Sequence, residues 1–341
     1  MKKRVEDYFN ETGKVRKANN LLMFKVVFYL ATYFGALALL VAGGFPIAVQ
    51  YGLWVIIGLF GAFIGLGVCH DAIHGSLFKS KAWNKALGYM FNVIGANAYI
   101  WEIMHNKVHH SFTNIDGHDA DLEAVPFLRM SPHKPRKPIH RIQHWLALPV
   151  YGLASLSWVF VKDYVKFTKG EIGSLKIKHH PREEWIKLFV GKAVYYSLFI
   201  VLPFTFAAAP WYHILLGFLA MHYAQGITLA VIFMLAHIVE EIHYPLPNDD
   251  GKIERSWAAH QLYTTANFAT GSPVAAFFCC GLNFQVEHHL FPQVSHVHLP
   301  AIAKITEAPG AEGQHALHDA LGRLRLERQL ALRAVGDARP R

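Results

Sequence analysis

Histidines carry the first chemical signal in this chain, which holds 22 of them among 341 residues. They are clustered. "HDAIH" sets His70 and His74 four residues apart, and "HNKVHH" gives His105, His109 and His110. "LAHIVEE" holds His237, and "GLNFQVEHHLFPQ" contains Gln285 followed by His288 and His289. On a helix, residues i and i+4 share a face, so two imidazoles can converge on one ion. A third His next to the second points about 100° further round, towards a second ion nearby. Eight histidines plus a glutamine are too many for one metal and suit two. All-imidazole ligation without a Cys motif fits iron, copper or zinc; open coordination positions and a redox task favour iron. One HxxxHH is weak evidence in a chain this rich in His. Together with HxxxH, QxxHH and a lone His at the end of an apolar run, it is strong.

The other histidines supply a contrast. "KHHPREEW" pairs His179 with His180 but has no partner one turn upstream, and it reads as solvated loop. His222 falls inside an apolar run, where a polar group usually has a role; a hydrogen bond between helices is expected. His296 and His298 lie close to the last cluster. A metal-bound imidazole normally donates its other N–H to a carboxylate or carbonyl. Asp71, Glu102, Asp116, Asp119, Asp121, Glu240, Glu241 and Glu287 lie within or just after the clusters. Asp119 and Asp121 stand out, because alternate acidic residues in a basic, His-rich segment need a partner. Cys69, Cys279 and Cys280 form no CxxC pair and read as small thiols on the reducing side.

Membrane helices are what must position these groups. The chain is 53% hydrophobic and 17% charged, where an ordinary soluble domain carries about 25% charged residues. Four apolar runs, about 21–44, 46–69, 188–210 and 211–236, are long enough to cross a bilayer. Lys25 interrupts the first and is expected to snorkel to its end. The basic "MKKR" start hints at a secretory signal, but the apolar run begins too late and is too long for one. The loops "AGGFP" and "AAAPWYH" contain no Lys or Arg, whereas the N-terminal segment, residues 79–187 and the tail hold nearly all of them. By the positive-inside rule those three face the cytoplasm, which requires an even number of spans. Every His cluster falls on that side. The net charge of +9 is then a matter of membrane topology, and no nucleic-acid partner is expected.

At this point the sequence resembles the membrane fatty acid desaturases, through "HDAIHGS", "HNKVHHSFTNIDGHDAD", "FMLAHIVEE" and "NFQVEHHLFP". Gln in place of the first His of the last box resembles the front-end group, which inserts a double bond between an existing one and the carboxyl end. The bacterial acyl-CoA or acyl-lipid (linoleoyl-CoA-like) members are the most similar. The resemblance runs from about residue 20 to about residue 305. It implies an all-α integral membrane protein: four transmembrane helices in two hairpins, plus a helical cytoplasmic cap holding a di-iron site. It further implies two iron ions held by His70, His74, His105, His109, His110, His237, His288 and His289, with Gln285 at a variable ninth position. Asp71, Asp119, Asp121, Glu241 and Glu287 are the candidate groups behind those ligands. The implied reaction uses O₂ as co-substrate and two electrons to convert CH₂–CH₂ of a long-chain fatty acyl substrate, CoA- or lipid-linked, into an alkene. The acyl chain would enter a bent tunnel between the helices.

Two features depart from the family. The fused cytochrome b5 of many front-end members, marked by HPGG, has no counterpart, since the one His-Pro is "HPRE" at His180. A separate ferredoxin or cytochrome b5-type donor with its reductase is therefore expected at the basic surface. Residues 1–307 read as the desaturase domain, while 308–341 is an Arg/Ala-rich tail unlike the family's usual ending. The expected location is a multi-pass place in membrane lipid with both termini and the active site cytoplasmic, in a bacterial inner membrane or an ER membrane. The nearest rival is a hydroxylase of the same di-iron superfamily, alkane or carotenoid type, whose last box is usually all His. A His-rich metal transporter is remoter, since it would place its ligands near the bilayer midplane.

Overall fold

The computed structural model of the chain describes residues 1–122, 127–240 and 242–307, so the predicted tail and Glu241 lie outside the described residues. Four helices are long and apolar enough to cross a membrane: Asn20–Ala42, Ile47–Ile73, Arg182–Phe206 and Trp211–His237. The first starts on Asn19, whose side chain accepts from Leu22 N–H. The second and fourth start after Pro46 and Pro210. The bounds differ from the apolar runs in one useful way. The second span continues past Cys69 to Ile73, so His70 belongs to its last turn and His74 follows directly. Apolarity stops where the helix leaves lipid, but its hydrogen bonds continue.

The second and fourth spans approach closely because both offer glycine. At Gly58 a Cβ would collide with the Met221 carbonyl, and at Gly217 with the Trp54 indole. Small residues at such crossings let backbones meet in a membrane, where no hydrophobic force separates helix from lipid. Replacing Gly58 with leucine should therefore lower the apparent Tm in detergent, at an overpacking cost of about 1–3 kcal/mol. An unchanged melting curve would show that the crossing is loose.

Lys25 corrects the sequence reading. It does not snorkel: it is 2% exposed, and its Nζ lies 3.0 Å from His296 Nε2 and 4.9 Å from the Phe277 ring centroid. A buried ammonium with specific partners is cheaper than one in lipid. His222 behaves as expected, linking helices through Ser155 Oγ at 2.9 Å and Tyr195 OH at 2.8 Å. His180 does not: only its neighbour His179 is exposed, while its own ring sits 4.9 Å from Phe167 and 3.1 Å from the Tyr99 hydroxyl.

A helix pair, Pro138–Gly152 and Ala154–Thr168, is bent by 55° and apolar enough to form a broken span or a re-entrant segment. It docks on the third span through Asp163, whose Oδ2 accepts from Lys192 Nζ at 2.7 Å. The remaining short helices gather at the His-bearing ends of the second and fourth spans. There the helix Lys2–Thr12 turns Val5 and Phe9 inward against Phe284, Leu299 and Ile302, beneath the last His cluster.

Candidate metal centre

The local helix geometry decides which imidazoles meet. Residues Ile103–His109 form a π-helical turn, and another, Ile64–Cys69, leads into His70. A π-turn closes i to i+5 and recurs at functional sites. His105 therefore meets His110, with Nε2 atoms 3.2 Å apart, while it also stays within reach of His109 and Asp121, as the i, i+4 spacing predicts. His109 also faces His237, ring centroids 4.5 Å apart, and His289 at 5.0 Å. The adjacent pair in Gln285–Leu290, a true α-helix, divides the same way. His288 faces His70 and His74, with centroids at 4.5 Å and 4.9 Å, while His289 faces His237.

Two sets of donors result. His70, His74, His105 and His288 offer nitrogens within 4.8 Å of one another, and so do His109, His237 and His289. His110 lies between them, its Nε2 3.1 Å from His288 Nε2. Metal–imidazole bonds of roughly 2.0–2.1 Å put neighbouring ligand nitrogens on the order of 3 Å apart. The Nε2 atoms of His70 and His105 are 3.1 Å apart. At that distance one nitrogen can donate to the other or both can ligate a shared ion. Several buried nitrogens, among them His74 Nε2, His109 Nε2, His237 Nδ1 and His289 Nε2, have no hydrogen-bond partner among the described residues. Orphaned buried donors or acceptors are costly, and convergent ones fit metal ions.

The groups behind the imidazoles fix which nitrogen is free. His109 Nδ1–H donates to Asp119 Oδ2 at 3.0 Å, with Asp121 Oδ2 at 3.6 Å. His289 Nδ1–H donates to the Gln261 amide oxygen at 2.7 Å. His289 therefore presents a bare Nε2, and so does His109 in its neutral form. Burial and the neighbouring imidazoles hold His105, His110, His288 and His289 well below the ordinary histidine range, leaving them neutral and able to ligate. His109 differs: burial pushes it down, but Asp119 and Asp121 outweigh burial and raise it.

The other acidic candidates sort plainly. Asp71 Oδ1 is 3.8 Å from His70 Nδ1, and its Oδ2 accepts from Ser295 Oγ, the His296 amide and His296 Nδ1. Glu287 is buried, but its oxygens accept from Thr306 Oγ1 and Asn267 Nδ2, not from an imidazole. Burial raises its carboxyl above the usual range. It pins the helix carrying the pair rather than the pair itself. Asp116 faces Lys134, and Glu102 and Glu240 are exposed. Gln285, 2% exposed, donates Nε2–H to His237 Nε2 at 2.8 Å, while its Oε1 has no partner among the described residues.

Three groups had no clear sequence signal. Gln261 is fully buried and also donates to the His110 carbonyl at 3.3 Å. Thr113 Oγ1 lies 2.7 Å from the His109 carbonyl. Asn114, at φ 57°, donates to the His237 carbonyl at 2.8 Å and so ties the HxxxHH segment to the fourth span.

A helical membrane protein whose span ends converge on imidazoles is the class that fold and site define. The fatty acid desaturase family model matches residues 46–320. The chain is 33% identical over 311 residues to an acyl-lipid (8-3)-desaturase of Physcomitrium patens, covering 90% of this chain and 64% of that protein. It is 31% identical over 309 residues to a sn-1 linoleoyl-lipid 6-desaturase of Synechocystis sp., covering 89% and 85%. It is 31% identical over 258 residues to an acyl-lipid (8-3)-desaturase of Mortierella alpina, covering 74% and 56%. The chain belongs to the fatty acid desaturase family.

Proposed function

We propose that this protein is a front-end fatty acyl desaturase acting on a lipid-linked long chain, with two iron ions in the two histidine sets. The observation that carries the reading is the convergence itself: adjacent His288 and His289 fall in separate groups, one with His70, His74 and His105 and one with His109 and His237, and His110 lies within reach of both. His70, His74, His105 and His288 would hold one iron; His109, His237 and His289 the other, with His110 beside both. Bound there, the irons supply the redox chemistry that reduces O₂ with two electrons and removes two hydrogens from an unactivated CH₂–CH₂. Asp119 and Gln261 hold the imidazole tautomers that leave Nε2 free. The apolar spans keep water from the acyl chain, and positioning then selects the carbons attacked. The relatives' names support an acyl-lipid substrate and the front-end position. We place the cluster and both termini on the cytoplasmic face, on the Lys/Arg distribution, with electrons from a ferredoxin or cytochrome b5-type protein.

The test is expression in a host fed defined fatty acids, beside a His109→Ala control, with new double bonds located by mass spectrometry. New alkenes towards the carboxyl end of existing ones are expected from the native chain and none from the control. Hydroxyl groups in place of alkenes would overturn the reading in favour of a hydroxylase.

A further inference from the structure

The helix Trp257–Thr264 lies across the HxxxHH segment and is bonded to it at several points. Trp257 Nε1–H donates to the His110 carbonyl at 3.1 Å. Gln261, one turn on, donates to the same oxygen at 3.3 Å. His260 Nε2–H donates to the Thr113 carbonyl at 2.9 Å. Half of this helix, including His260 and Gln261, is buried, while Trp257 at its first position is 43% exposed. It thus joins solvent to the backbone of His110 by one hydrogen bond, and the His110 imidazole stands between His105 and His288, at 3.2 Å and 3.1 Å.

We propose that Trp257 is where electrons from a reduced iron–sulfur or haem carrier protein enter the histidine cluster. This rests on the di-iron desaturase reading above. Each transfer oxidises the carrier by one electron and reduces the metal held by the cluster by one; no bond forms or breaks, and two transfers serve one turnover. A hydrogen bond followed by the covalent path through one residue couples electronically better than a gap through solvent. Before Trp257 the exposed charges are mixed, Lys252 and Arg255 alternating with Asp249, Asp250 and Glu254, while no Asp or Glu occurs from Trp257 to Val286. An acid-faced carrier would meet that second stretch and Arg255, whose guanidinium lies 4.3 Å over the Tyr263 ring. Of the other aromatic rings at the cluster, half-buried Phe233 packs on His109 and His237 at 5.3 Å and 4.8 Å, and Trp101 stacks on His105 at 4.3 Å with buried Phe91 stacked on it at 4.6 Å. That leaves a carrier less ring to meet.

The experiment compares the iron-loaded full chain with Trp257→Phe, Trp257→Leu and Trp101→Phe. Anaerobic stopped-flow follows reduction of the iron spectrum by pre-reduced ferredoxin and, separately, by dithionite. Calorimetry measures ferredoxin affinity on metal-free protein. Trp257→Leu should slow ferredoxin-driven reduction at least tenfold and weaken ferredoxin binding, with iron content and the dithionite rate unchanged. Trp257→Phe should fall between. An unaltered ferredoxin rate in Trp257→Leu, or a loss confined to Trp101→Phe, overturns the proposal. So does an equal loss with dithionite, which would make Trp257 a structural brace. A native chain that binds no iron and makes no alkene would instead overturn the desaturase reading itself.

Discussion

Replacing Asp119 with alanine should cost one of the two histidine sets its metal and abolish desaturation. Asp119 is 1% exposed, and three groups depend on its carboxylate. Oδ2 accepts from His109 Nδ1 at 3.0 Å and from the Asn114 amide at 2.9 Å; Oδ1 accepts from the Asp121 amide at 3.0 Å. The first bond sets the His109 tautomer. The second holds Asn114 in a left-handed conformation that few residues adopt readily, and Asn114 in turn reaches the His237 carbonyl. One carboxylate thus orients His109 directly and anchors the loop beside His237. Loss of such an outer partner typically costs roughly 10–100-fold in metal affinity or activity, and the loop should add to that. Iron per chain, measured after gel filtration, should fall from two towards one. Asp121→Ala should be milder, because Asp121 is 3.6 Å from His109 and its side chain is 22% exposed. Two irons and ordinary turnover in Asp119→Ala would refute the assignment of this carboxylate.

The contrast with what sequence could reveal is physical. The His boxes are legible because imidazoles are scarce in apolar chains and their spacing matches helical turns. Asp119 is legible because an acid in a His-rich segment needs a partner. Gln261 and Thr113 are not, since uncharged polar residues are common and carry no period, and Gln261 meets Thr113 across 148 positions of chain. Lys25 misleads for a related reason: its partner, His296, lies 271 positions away, so the local sequence shows only a charge in an apolar run. Nor does spacing reveal the π-turn at Ile103–His109, because HxxxHH is written alike whether the turn closes at i+4 or i+5. The spans are legible from length and apolarity. The bend between Gly152 and Ala154 has one local mark, Pro149 inside the first helix; its packing on the fourth span is not legible, and there a Cβ on Gly226 would meet the Gly152 carbonyl at 2.6 Å.

Gln285 is where a single atom change should report most on the chemistry. It opens the helix Gln285–Leu290, one turn before His289 and hence on the same face. Its amide N–H occupies the His237 Nε2 lone pair at 2.8 Å, and its Oε1 is buried without a partner among the described residues. An unsatisfied buried acceptor costs about 1–3 kcal/mol, so a partner is expected there. A half-turn of the amide would put its oxygen in the nitrogen's place to accept from His237 Nε2–H, leaving Nδ1 as the nitrogen free to ligate. Either way the glutamine adds a weak neutral oxygen donor beside His237 and His289, able to hold an ion or an ordered water. Histidine at this position supplies a nitrogen of similar reach, so Gln285→His should keep its iron and part of its activity. Gln285→Ala leaves a polar void and should lose roughly ten- to hundredfold in activity, the range found when groups supporting a metal site are removed. Iron content separates the two roles open to the amide. If it ligates, the alanine variant loses iron and activity together; if it holds water, iron stays and only turnover falls. Full turnover in Gln285→Ala would reduce the glutamine to a mark of lineage.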